Sequence, residues 1–175
     1  MAQTPPESEF SRPFPADRLG STPQTEVLTA SAGECSALAT RLGIVAVEQL
    51  SASVRLERTL GGLIHVAGRL EADVVQTCVV TLTDFASHVE DSFAVDFGDA
   101  PAEADSELVL DPDYDPPEPI EGGVIDIGEL VAQYLALALD PHPRSPGASL
   151  DSVWVDSDAE ERSPFAVLKS LKTPN

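Results

Sequence analysis

Basic residues are scarce in this 175-residue chain: ten Lys and Arg stand against thirty Asp and Glu, for a net charge of −20. Such a field repels phosphate backbones, because nucleic-acid affinity comes largely from Lys and Arg displacing counterions. DNA is thereby excluded as a partner and RNA disfavoured, whereas basic proteins and cations are natural partners. Cys35 and Cys78 are the only cysteines, too few and too far apart for a disulfide framework. His65, His88 and His142 complete the set of soft ligands, and no two of the five have the close spacing of a zinc knuckle. No metal and no cofactor is expected. Long apolar runs are missing too, since none reaches the roughly twenty residues that span a bilayer. The N-terminus has neither a basic nor an apolar signal region. The expectation is a cytoplasmic protein without a membrane partner. Aromatics make up only 5%, and no strand interleaves them with basic residues as RNA-binding strands do. A Gly-rich phosphate loop and a nucleophile elbow are likewise lacking.

What is present is a hydrophobic fraction of 42%. One domain of this length can bury about two-thirds of its unfolded surface without disulfides or metal. Its centre is the stretch 123–143, where Ile127, Leu130, Val131, Tyr134, Leu135 and Ala138 recur at helical spacing. Asp126 is placed to accept from first-turn N–H groups, with Glu129 completing a capping-box-like start. Pro141 stops the helix. Leu137 and Leu139 widen the apolar stripe until little polar face remains, so this helix is expected in mid-core, covered on most sides.

Residues 1–9 are expected to be disordered, followed by an extended entry segment with Phe10 and Phe14 available to dock. Residues 25–30 alternate as a strand. Ser31 and Glu34 form a capping box for a helix over 32–42, with Gly43 at its C′ position. Cys35, Leu38, Ala39 and Leu42 share one face of it, which makes Cys35 a small buried hydrophobe. Leu50, Ala52, Val54 and Leu56, then Ile64, Val66, Gly68, Leu70, Ala72 and Val74, keep period two on either side of Gly61 and Gly62. That pattern predicts a hairpin of strands 44–58 and 62–77. A further strand, 87–97, aligns Val89, Phe93, Val95 and Phe97, with Asp91 interrupting as at a sheet edge. Residues 74–82, centred on Cys78, read as a tight apolar crossover.

Residues 98–121 form an acidic linker with no basic residue, in which 107–110 can dock as a short strand. Residues 144–162 form a second one, with Trp154 expected to dock on the domain. Ser163 as N-cap and Pro164 at the first helical position open a short amphipathic helix. Phe165, Leu168 and Leu171 are its apolar side, and Lys169 and Lys172 complement the dipole at its end. The fold expected is one α+β domain over 10–143: an antiparallel sheet covered by two main helices, with acidic linkers and a C-terminal motif over 163–175.

Little of this points to catalysis. Asp111-Pro-Asp-Tyr-Asp has the alternate carboxylates of a calcium loop, but Pro116 stands where the turn glycine belongs and Gly122 where the bidentate Glu belongs. A Cys–His nucleophilic pair through Cys78 is the catalytic option left open by sequence.

Cys78-Val-Val-Thr-Leu, the stretch 123–143, and Ser163-Pro-Phe-Ala-Val-Leu-Lys-Ser-Leu-Lys occur in that order. From about Phe10 to the C-terminus the chain resembles the YceD family, the large ribosomal RNA subunit accumulation proteins, in an alphaproteobacterial-type version. The resemblance implies a non-enzymatic ribosome biogenesis factor supporting accumulation of the large-subunit (23S) RNA. Its motif positions here are Cys78, Thr81, Asp126, Glu129, Leu130 and Pro141. Many family members carry Cys-x-x-Cys at the crossover, often with a later His or Cys. Here the second position is Thr81 and no Cys follows His142, so the resemblance carries no metal site over to this chain. Joined to the charge, it leads to an adaptor for a basic ribosomal protein or assembly factor, with Phe165, Leu168, Lys169, Leu171 and Lys172 as partner-binding residues. The alternatives are direct rRNA contact, if Arg41, Arg55, Arg58, Arg69, Lys169 and Lys172 converge on one face, and an uncharacterised hydrolase using Cys78.

Overall fold

The computed structural model describes residues 8–98 and 116–149; the segment 107–110, Trp154 and the motif over 163–175 lie outside them. Alternating sequence builds the central sheet. Strands β2 (Gln24–Thr29), β3 (Ala46–Arg58), β4 (Ile64–Thr77) and β5 (Asp84–Gly98) lie side by side in chain order, each antiparallel to the next. At the hairpin between β3 and β4, Gly62 N–H donates to Thr59 O at 3.0 Å, and Thr59 N–H donates to Leu63 O at 2.8 Å. Gly62 has φ +84, a conformation glycine adopts without the Cβ penalty.

Leu50, Ala52, Val54 and Leu56 of β3 are buried beside Ile64, Val66, Leu70, Ala72 and Val74 of β4, as period two predicts. Gly68 interrupts that row for a steric reason. A Cβ there would lie 2.3 Å from Phe93 Cζ, so the ring lies directly over the strand. The same ring stacks on Tyr134, with centroids 4.5 Å apart and planes 12° apart.

Both helices cover one side of the sheet. α1 (Ala32–Leu42) packs on β3 and has the predicted termini: Ser31 and Glu34 form a reciprocal capping box, and Gly43 takes φ +66 after the last turn. α2 (Ile127–Ala138) packs on β5 and β4 through Ile127, Leu130, Val131, Ala132 and Leu135. It is not covered on most sides, as its composition predicts. Leu137 is 76% exposed, because α2 lies on one face of a single sheet with no layer of described residues beyond it. Together these elements make one α+β domain.

Three other departures have physical causes. Residues 74–82 are not a crossover: β4 continues to Thr77, and 78–83 form the turn into β5, which starts at Asp84. Phe10 and Phe14 dock in the core as expected, but their segment goes further, since β1 (Pro13–Pro15) pairs with β7 (Val124–Asp126) just before α2. Ser8 and Glu9, assigned to the disordered start, are therefore tied to the body through Glu129 and Arg41. Finally, the end of the acidic stretch adds a two-residue strand, β6 (Glu118–Pro119), parallel to the last residues of β5. Along the rest of its length β5 has no outer neighbour among the described residues, which is where half-buried Asp91 is tolerated.

Candidate functional site

The motif positions fall in two places, the start of α2 and the turn between β4 and β5. At the first, Asp126 caps the helix by accepting from Gly128 N–H and Glu129 N–H, each at 3.1 Å. The same carboxylate accepts from Arg12 N–H at 2.7 Å and from the Ser11 hydroxyl at 2.6 Å. Ile127 N–H donates to Arg12 O at 3.1 Å. Asp126 is thus both an N-cap and the clamp that holds the N-terminal segment across the helix. Leu130 lies in the core. Pro141 follows the helix end and borders a cleft shared with Arg41, Ile44, Thr77, Ala136 and Leu139.

Glu129 does not close a capping box. Its side chain turns to α1, where Arg41 grips it with both terminal nitrogens, at 2.6 and 2.8 Å. Hydrogen bonding to Arg41, opposed by burial and aided by Ser8 and Gln133, holds its carboxyl down at about 2. Arg12 makes a second bridge, to Glu34 at 2.7 Å. Its hydrogen bonds, with that of the Ser31 backbone, hold Glu34 at about 2 as well. These pairs join the N-terminal segment, α1 and α2 into one polar seam.

At the second place, the β4–β5 turn folds over Cys78, whose side chain has no exposed surface. Cys78 N–H donates to Thr83 O and Leu82 N–H to Cys78 O, both at 2.9 Å, while Thr81 N–H points at Cys78 Sγ, 3.4 Å away. Leu82 takes φ +56, the one non-glycine among the described residues in the left-handed region. Ser145, in the segment after α2, also acts on the sulfur. Burial raises the thiol pKa, and the hydrogen bonds from Thr81 and Ser145 outweigh it, bringing it down to about 6. Atoms of the described residues cover the sulfur, and no surface of Cys78 is exposed among them. His65 and His88 are both remote from it, engaged with Asp96 and Asp73 on the outer face of the sheet.

These donors do not fit a zinc site. One thiolate and the neutral hydroxyls of Thr81 and Ser145 are a poor set for a metal that selects Cys and His. Among the described residues, no group of three or more His, Cys, Asp and Glu could hold a metal ion.

Of the arginines named for RNA contact, Arg55 and Arg69 are diagonal neighbours on the exposed face of β3 and β4, whereas Arg41 lies on α1, and each is engaged within the domain. Arg41 serves Glu129 and Glu9, Arg55 bonds Glu57, and Arg69 bonds Glu90. Arg58 donates to the carbonyls of Ala16 and Leu19. Lys169, Lys172 and the apolar positions Phe165, Leu168 and Leu171 lie outside the described residues.

Comparison with known proteins decides the family. A family model described as large ribosomal RNA subunit accumulation protein YceD matches residues 66–172. The chain belongs to the YceD family. No curated protein and no solved structure matches it. The YceD match begins inside β4, not near Phe10, and takes in β5, α2 and the C-terminal motif. Its name ties the family to accumulation of the large ribosomal RNA. Among the described residues no helix is long and apolar enough to cross a membrane.

Sequence reasoning missed Ser145 and Arg12. Neither belongs to a spaced motif, and each meets its partner only through the fold. For Arg41 and Glu129 a weak signal existed, one charge in the last turn of α1 and its opposite in the first turn of α2.

Proposed function

We propose that this YceD protein supports accumulation of the large-subunit (23S) rRNA by binding a basic ribosomal protein or assembly factor in the cytoplasm, without catalysing a reaction. The observation that carries this reading is the fate of the positive charge. On a chain at −20, Arg41, Arg55 and Arg69 are each neutralised by a carboxylate of the same domain, which favours a basic protein over a phosphate backbone. A factor of this kind shields its partner from premature RNA contact and delivers it to the growing subunit. The C-terminal motif is suited to the recognition step. Nine or ten residues are too few for a stable isolated helix, and its side of Phe165, Leu168 and Leu171 is of the type that lies in a groove on a partner.

The test is made in cells depleted of the protein. The ratio of large-subunit to small-subunit rRNA should fall and return with the wild-type chain. An unchanged ratio would remove the basis of this reading.

A further inference from the structure

We infer that the free edge of β5 from Asp84 to Glu90 is a docking site for an extended, basic segment of a partner protein, which adds to the sheet as a further strand. The partner's charge rests on the function proposed above; the place rests on backbone geometry. Cys78 N–H donates to Thr83 O at the start of the strand, and Gly98 O at its end accepts from Ile120 N–H, just after β6. Between these points the register with β4 is unbroken. Odd-numbered residues of β5 therefore turn their N–H and C=O groups to β4, and even-numbered ones turn theirs outward. Asp84, Ala86, His88 and Glu90 present a row of backbone donors and acceptors that no neighbouring strand takes up among the described residues. The rest of the edge is guarded. Asp91 Oδ1 accepts from Ser92 N–H at 2.8 Å, occupying that outward donor, and β6 covers Phe97 and Gly98.

Specificity comes from the two sides of that edge. On the helix side lies a cleft of about 340 Å³, lined in part by Phe85, Ser87, Val89, Ala138, Asp140 and Arg144. The Ser87 hydroxyl is the one buried side-chain polar atom without a hydrogen-bond partner among the described residues, and a polar group of a bound chain would satisfy it. An added strand sends alternate side chains into this cleft, where Phe85, Val89 and Ala138 suit an apolar residue. The others fall on the outer face, where Asp73, Asp84 and Glu90 stand around the single Arg69 and favour Lys or Arg. A second copy of the chain is a poor occupant, because antiparallel pairing about Ser87 sets Asp84 opposite Glu90 twice.

The probe is a peptide of alternating lysine and valine, added to the full chain and followed by NMR hydrogen exchange. In the free protein the amides of Ala86, His88 and Glu90 should exchange quickly while those of Phe85, Ser87 and Val89 are protected, and the peptide should slow the first set. Ala86→Pro removes an outward N–H that the sheet's own ladder does not use. That variant should fold and bind the peptide about tenfold more weakly. Outward amides already protected in the free chain would overturn the site, since the edge would then be covered by the chain itself or by a second copy. Equal binding by Ala86→Pro, or no protection of the three amides by the peptide, would overturn it too. Should Ala86→Pro not fold, the exchange measurement on the wild-type chain decides. The two readings fail separately: an edge that takes the peptide, with an rRNA ratio unchanged on depletion, removes the proposed function alone, whereas a falling ratio with an inert edge removes the docking site alone.

Discussion

Gly128 looks like an ordinary weak point in a helix, yet the fold depends on its lack of a side chain. A Cβ there would lie 2.3 Å from Phe10 O and 2.8 Å from Arg12 N. Both are backbone atoms of a segment in which Asp126 holds Arg12 N–H and Ile127 N–H holds Arg12 O, so they cannot swing aside as a side chain would. Alanine is the better helix former, by about 1 kcal/mol. The overpacking outweighs that gain, and Gly128→Ala should destabilise the domain by about 1–3 kcal/mol. Chemical denaturation with an unchanged midpoint would show that the N-terminal segment does not lie against α2. His88 gives a second residue-scale outcome. Its hydrogen bond to Asp73, opposed by its partial burial and aided by Glu90, raises its pKa above the usual 6.5. With the native value raised, its stabilising contribution is complete below the ordinary pKa and is lost as pH rises through the native one. A proton NMR titration should place His88 above 6.5, and Asp73→Asn should lower it. Identical midpoints in the two proteins would contradict the pairing.

At the scale of elements, Arg41 and Glu129 join the last turn of α1 to the first turn of α2. The native pKa of Glu129, about 2 against an ordinary 4.5, means that the unfolded chain takes up protons first as pH falls. The stabilisation is complete above pH 4.5 and lost on the way to pH 2. The pair is partly solvated, with side chains 34% and 24% exposed, so its worth is on the order of 1 kcal/mol. The stability gap between wild type and Arg41→Met should therefore close as pH drops through that window; a constant gap would mean that Arg41 acts by packing alone. The capping box of α1 and the long hairpin were legible in the sequence, since each rests on a local rule: side-chain spacing, a cap, a turn glycine. The strand β7, the short β6 and the clamp at Asp126 were not, because their partners lie more than a hundred residues away or on two-residue strands without a period. Local rules likewise put Glu129 back on its own helix, whereas an arginine from another helix won the carboxylate. Leu137 was misread for a related reason: an apolar run states what a helix offers to a core, not how many layers the chain has to cover it.

For the whole molecule, the candidate site was legible only as a set of motif positions. The family resemblance drew attention to Cys78 and Thr81, but nothing drew it to Ser145, which acts on the sulfur from the segment after α2. The charge was legible at once, and its distribution gives it meaning, since three arginines available for RNA on paper each face a carboxylate of the same domain. Removing residues 163–175 should leave the thermal midpoint in place while abolishing partner capture; a midpoint lowered by several degrees with capture intact would make that motif part of the fold. The measurement that bears most directly on the account is affinity capture of the tagged full chain from growing cells, with and without nuclease, read by mass spectrometry and RNA sequencing. A basic ribosomal protein or assembly factor should be retained in near-stoichiometric amount after the RNA has been digested. Recovery of large-subunit rRNA together with ribosomal proteins, all of it lost on nuclease treatment, would contradict a protein-binding role and make RNA the direct partner.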